Sequence, residues 1–149
     1  MASKRLLKEW KKWTEEPPKN CVLLESTVPE SKWMIEYTAP TSSLFQGGKF
    51  LISLEFDNYP FKAPVLTFIT PIYHPNFSDK GEICQNVYEV DWAPTQKVTD
   101  VITAVDGTMF VIDQANPLRD EIAVVFRDNE AKFHKTKNEW IAKNNYKGK

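Results

Sequence analysis

The sequence predicts an α+β domain: a four-stranded antiparallel meander, with an N-terminal helix before it and a central helix and C-terminal helices after it. Three observations carry this. Four short β-like segments follow one another, separated by breaks rich in Pro, Ser, Gly or Asn that are too short for parallel crossovers. Stretches with helical spacing stand on both sides of them. Between the strands and the later helices, periodicity lapses over residues 70–96, and so long an irregular stretch inside a compact domain is uncommon unless it is functional.

The first helix begins after Ser3. Leu6, Leu7, Trp10 and Trp13 share one side of it, Lys4, Arg5, Lys8, Lys11 and Lys12 fill the remainder, and Pro17 with Pro18 ends it. Strands are expected near residues 21–27, 32–38, 50–56 and 65–69. The alternation of Phe50, Ile52, Leu54 and Phe56 suits a sheet with one face under a helix and the other partly wet. After the irregular stretch, Val98, Val101, Ile102, Val105 and Met109 restore a helical spacing up to about Ile112, with Gly107 a weak point. This is the expected central helix. Pro117 opens a further helical stretch over 120–127, and a last helix carries Phe133, Trp140 and Ile141 on one side toward a Lys-rich end.

At 149 residues, 42% hydrophobic and 26% charged, the chain reads as one ordered domain over residues 1–149, without repeats or linkers. A formal net charge of -1 argues against nucleic acid as a partner, although basic residues crowd the first dozen positions. No run approaches the roughly 18 apolar residues that span a bilayer, and the start is charged where a signal peptide is apolar. The expectation is a monomer of the cytoplasm or nucleus with no membrane partner. Cys21 and Cys84 are too few and too far apart for a metal site, and a reducing compartment keeps them as thiols. No metal and no cofactor are expected.

Cys84 lies in the irregular stretch. An accessible thiolate there can take an acyl group from another thioester at little net free-energy change, and needs no strong hydrolytic base to do so. Around it stand Tyr73-His74-Pro75-Asn76, then Gly81-Glu82-Ile83-Cys84 with the cysteine eight positions after Asn76, then Trp92-Ala93-Pro94 beginning eight positions beyond. In this order and at these separations the motifs resemble the active-site region of ubiquitin-conjugating enzymes. The likeness takes in the basic first helix, Tyr59-Pro60-Phe61-Lys62-Ala63-Pro64 and Asn116-Pro117-Leu118, and so nearly the whole chain. It implies the ubiquitin-conjugating fold, with ubiquitin held as a thioester on Cys84. It also implies an activating enzyme, which uses the ATP and magnesium, and a ubiquitin ligase as partners.

The same resemblance distributes roles. Cys84 and Asn76 are the catalytic residues, Asn76 either donating to the oxyanion that forms at the thioester carbonyl or bracing the loop. Both readings stay open, because an Asn after Pro commonly bonds turn backbone. His74, Pro75 and Trp92 support the loop, as do the residues at positions 86 and 116. Phe61, Ala93, Pro94 and Thr95 match the surface for the activating enzyme and ligases, and Lys4, Arg5 and Lys8 match the docking helix for the activating enzyme. On the residues alone, Phe61 reads equally as a core aromatic, although Pro60 and Pro64 favour an exposed loop, and the basic run reads as a solvated helix face.

Two positions depart from the pattern. Relatives that modify lysine directly carry an Asp two residues after the cysteine and an acid just before the Pro-Leu step, where this chain has Asn86 and Asn116. An amide cannot take a proton from an incoming amine as a carboxylate can. The substitution resembles members that pass ubiquitin chiefly to a ligase cysteine, and Arg119 has the same flavour. Asp113 and Asp91 are the candidate substitutes for the missing acids. Val22, polar in some relatives, leaves a second, noncovalent ubiquitin contact on the sheet open. The competing functions are a cysteine hydrolase, which needs His74 or His134 beside the thiol, an inactive binding module of the same fold, and a carrier of another ubiquitin-like modifier.

Overall fold

A computed structural model of the chain describes residues 3–84 and 87–148. Helix α1 (Lys4–Glu15) precedes strands β1 (Cys21–Leu23), β2 (Lys32–Thr38), β3 (Lys49–Glu55) and β4 (Val65–Phe68). Helices α2 (Val98–Phe110), α3 (Asp120–Asp128) and α4 (Glu130–Asn144) follow. The strands lie in the order β1-β2-β3-β4, each antiparallel to the next, which is the meander expected from the short breaks.

The register sorts the two faces. Cys21, Tyr37 and Phe50 lie abreast, as do Leu23, Ile35, Ile52 and Phe68, and Trp33, Leu54 and Leu66. Residues directly opposite share a face, and all of these except the half-buried Leu23 are buried. Helix α2 adds Val98, Val101, Ile102, Val105 and Met109 to the same core. It is pinned to the sheet by Asp106, whose Oδ1 accepts from the Tyr37 hydroxyl at 2.6 Å and from Asn20 Nδ2 at 2.9 Å. Gly107 does not interrupt α2: it lies on the exposed side of a helix held by its buried face.

Two expectations are corrected. β1 ends at Leu23 rather than near Thr27, because the Thr27 hydroxyl takes the place of strand backbone against β2. It accepts from Met34 N–H at 2.9 Å and donates to Met34 C=O at 3.2 Å. In α1, capped by Ser3 Oγ on Leu6 N–H at 3.0 Å, only Leu6 and Trp13 are fully buried. Trp13 meets Trp33 edge-on at 5.4 Å. Leu7 is exposed, since it stands about 100° round the helix from Leu6 and about 60° beyond the arc shared by Leu6, Trp10 and Trp13.

Candidate active site

The irregular stretch is shaped by a tight turn laid against β4. Gly81 donates to Ser78 C=O at 3.0 Å and accepts from Phe68 N–H at 2.9 Å. Its φ is +86°, and a side-chain carbon there would stand 1.9 Å from the Phe68 carbonyl oxygen, so only glycine fits. Isolated bridges pair Phe77 with Ile83 and Thr67 with Glu82. The turn therefore returns the chain to Cys84, whose N–H donates to Asn76 C=O at 3.1 Å. Its thiol is half-buried on a cleft of about 510 Å³, walled by Ser78, Glu82 and Ile83 on one side and Asn116, Pro117 and Leu118 on the other.

Across that cleft the two walls are clasped together. Asn76, only 2% exposed, donates from Nδ2 to Asp113 C=O at 2.8 Å, and its Oδ1 accepts from Asp113 N–H at 2.9 Å. The same Nδ2 lies 3.5 Å from Asn116 C=O, a long contact. Pro75 C=O accepts from Leu118 N–H at 2.7 Å and Arg119 N–H at 3.1 Å. The Arg119 guanidinium donates from Nε to Phe77 C=O at 2.9 Å and from Nη2 to Ile72 C=O, and lies over the Trp140 ring. With its amide oxygen and a short Nδ2 bond both spent on the Asp113 main chain, Asn76 is placed as a brace in this conformation.

His74 is fully buried and stacked on Phe45, ring centroids 5.1 Å apart. Its Nε2 lies 2.8 Å from Thr108 C=O, which can only accept, so Nε2 carries the proton and Nδ1 accepts from Asn76 N–H at 3.0 Å. Both nitrogens are committed and the ring is neutral. Burial drives its pKa down to about 4, against the opposing pull of the Thr108 carbonyl. His134 sits on α4, where its Nδ1 faces Lys137 Nζ at 3.1 Å. Neither histidine is placed to act as a base on Cys84, which removes the geometry a cysteine hydrolase requires.

The other predicted residues fall into three groups. Asn116 lines the cleft and donates from Nδ2 to Asp113 Oδ2 at 3.3 Å, while Asp113 Oδ1 accepts from Ala115 N–H at 2.9 Å. Neither Asp113 nor Asp91 lines the cleft, but Asp113 stands next to its rim through this contact with Asn116; Asn86 lies outside the described residues. Trp92 braces a different part of the chain, donating from Nε1 to Pro60 C=O at 2.8 Å. Beside it Phe61, 71% exposed, opens a surface groove with Ala63 and Val65, so it belongs to the surface and not the core.

Lys4, Lys8, Pro94 and Thr95 are exposed and Ala93 is half-buried. Arg5 departs from the solvated-face reading. It donates to Pro94 C=O, pairs with Glu9 at 3.1 Å and lies 5.4 Å from the Tyr59 ring centroid. Glu9 also accepts from Tyr59 OH at 2.6 Å and from Val98 N–H at 2.9 Å. Sequence reasoning missed Glu9 and the bracing role of Arg119. It also missed Tyr88, whose buried hydroxyl donates to Pro64 C=O at 2.8 Å and accepts from Leu66 N–H at 2.9 Å. A large aromatic between Val87 and Val90 in the irregular stretch was the available signal for Tyr88; Glu9 and Arg119 carried none. The arrangement is a reachable thiol on a braced loop with no histidine base. Residues 5–141 match the family model described as ubiquitin-conjugating enzyme.

Two measurements check the architecture. Asn76→Ala orphans the Asp113 main-chain N–H and C=O, and the unfolding free energy should fall by about 2–4 kcal/mol in a denaturant titration; no loss would exclude the clasp. His74 has a folded-state pKa of about 4 against 6.5 for the free group. As pH falls below about 6.5 the unfolded chain takes up a proton that the folded state refuses, so His74 costs nothing above that pH and progressively destabilises the fold down to about pH 4. Unfolding free energy should drop by about 2 kcal/mol between pH 7 and pH 5, and His74→Gln should flatten that slope. A slope under about 0.5 kcal/mol in the unmodified protein would show the ring to be protonatable in place.

Proposed function

Because the chain belongs to the ubiquitin-conjugating enzyme family, we propose that Cys84 accepts ubiquitin from the activating enzyme as a thioester and passes it on chiefly to a ligase cysteine. The observation that carries this reading is the half-buried Cys84 thiol on an open cleft whose neighbouring histidine is locked and neutral. Transfer begins when the acceptor sulfur attacks the thioester carbonyl carbon. The bond to Cys84 Sγ then breaks, and Cys84 leaves as a thiolate. An acceptor thiol with pKa near 8.5 supplies thiolate unaided. A lysine near 10.4 must first lose a proton, and the cleft offers the Asn116 amide where lysine-directed relatives hold an acid. The lack of a histidine base beside the thiol likewise favours survival of the thioester in water. Cys21 has no part in this: it is buried, and burial together with the Asp106 charge pushes its thiol up to about 12.

The exposed Lys4, Lys8, Phe61, Pro94 and Thr95, with the half-buried Ala93 beside them, support docking of the activating enzyme and ligases. Arg5 serves that surface from beneath, by holding the Pro94 carbonyl. We place the protein in the cytoplasm or nucleus, where reducing conditions keep both thiols free.

With activating enzyme, ATP and ubiquitin, the protein should form a thiol-sensitive adduct that Cys84→Ala abolishes and Cys21→Ala leaves intact. Cys84→Ser should give a longer-lived oxyester, because an alkoxide is the poorer leaving group. An adduct of equal yield on Cys84→Ala would refute the assignment. In single-turnover discharge, the charged protein should lose ubiquitin to free cysteine at least about tenfold faster than to free lysine, and Asn116→Asp should narrow the gap. Comparable rates for the two acceptors in the unmodified protein would overturn the preference.

A further inference from the structure

We propose that the cleft beside Cys84 selects acceptors that carry a positive charge next to their nucleophile, and that Glu82 sets this selection. The inference rests on Cys84 carrying the thioester. Among the described residues lining the cleft, Glu82 is the only ionisable group other than Cys84 itself. Its place on the wall is fixed by its main chain, since Glu82 N–H donates to Ser78 Oγ at 3.1 Å, its C=O accepts from Ser78 N–H at 2.8 Å, and it bridges to Thr67. The carboxylate is therefore not needed for the fold, and the residue is exposed.

Among the described residues no cation lining the cleft offsets it. Arg119, the next residue after the opposite wall, is turned inward onto Phe77 and Ile72 carbonyls. Asp79 and Lys80 lie on the far side of the Ser78 turn, where they line a separate hollow with Arg119 and Trp140. At the opposite rim Asp113, held at 3.3 Å from the Asn116 amide, adds a second negative charge. Ile83, Pro117 and Leu118 complete the lining with apolar surface, which suits the aliphatic stem of a basic side chain. A nucleophile approaching Cys84 through this cleft thus passes an uncompensated anionic wall. An ammonium or guanidinium within a few ångströms of its sulfur is drawn in, and a carboxylate there is repelled.

For separations of about 6–8 Å in water, one such charge changes the encounter by about two- to threefold, in opposite directions for cationic and anionic acceptors. The acceptor of stated chemistry is a thiol flanked by a basic group, as in a ligase segment with Lys or Arg beside its cysteine. In the reaction the thiol proton goes to solvent and the acceptor sulfur bonds to the carbonyl carbon. The Cys84–carbonyl bond breaks, and the Cys84 thiolate is reprotonated from solvent.

The test uses the full-length protein charged with ubiquitin, freed of activating enzyme, and discharged at low salt onto three small thiols: cationic cysteamine, neutral 2-mercaptoethanol and anionic 3-mercaptopropionate. Taking ratios between variant and unmodified protein cancels the intrinsic reactivity of each thiol. Glu82→Gln should lower the cysteamine-to-mercaptopropionate rate ratio about fivefold, Glu82→Lys should lower it further, and Glu15→Lys, the same charge change on α1, should leave it as in the unmodified protein. Raising the salt to about 1 M should collapse the preference of the unmodified protein. Unchanged ratios in the charged Glu82 variants, an equal shift from Glu15→Lys, or a ratio indifferent to salt would each overturn the proposal. Should Glu82→Lys fail to charge, Glu82→Gln and the salt series decide it. Failure of the unmodified protein to form an adduct on Cys84 is a separate outcome that removes the thioester reading, and this inference falls with it.

Discussion

The clasp between the Asn76 side chain and the Asp113 main chain is the contact on which the site depends. One amide supplies a donor and an acceptor to a single residue 37 positions away, at 2.8 and 2.9 Å. The main-chain carbonyl of the same Asn76 receives the Cys84 N–H. The backbone of Cys84 is thus tied through one buried residue to the segment that follows α2. A carboxylate lacks the donor and an aliphatic chain lacks both groups, so asparagine is the residue that fits. Burial gives the arrangement its force, since polar groups orphaned at that depth cost about 1–3 kcal/mol each. The Pro75 carbonyl and the Arg119 guanidinium extend the same clasp on either side.

This construction commits to architecture the groups that another enzyme would use for proton transfer. His74 has its proton on the Thr108 carbonyl and its lone pair on the Asn76 N–H. A protonated ring would have to break the second bond and carry a charge with no access to water. A thioester held beside such a site meets no histidine free to activate water, which favours its survival until a better nucleophile arrives. What remains to distinguish one acceptor from another is shape and charge along the cleft wall, where Glu82 and, at the rim, Asp113 lie.

The parts of this structure legible in the sequence are those written in local period or in compact motifs. The start of α1 after Ser3, the alternation through β3, the buried stripe of α2 and the irregular stretch around Cys84 stand where pattern places them. The end of β1 was hidden because a side-chain hydroxyl, Thr27, imitates strand backbone and leaves no periodic mark. Leu7 was misplaced because a helix face is an arc, and one residue of offset carries a side chain off it. Asn76, open between two roles on sequence grounds, is fixed by Asp113, a partner that no spacing rule connects to it.

The basic residues make the same point more sharply, because chemistry and not position separates them. Arg5 and Arg119 each offer several donors in one plane and a face that stacks on an aromatic ring, so each can gather contacts that a single ammonium cannot. Arg5 joins Glu9, the Pro94 carbonyl and Tyr59; Arg119 joins two loop carbonyls and Trp140. The neighbouring Lys4 and Lys8 stay exposed. One arginine fixes the loop at Pro94, and the other fixes the loop that carries Cys84. The two braces share no residue, so a partner that displaces Arg5 leaves the clasp around the thiol intact.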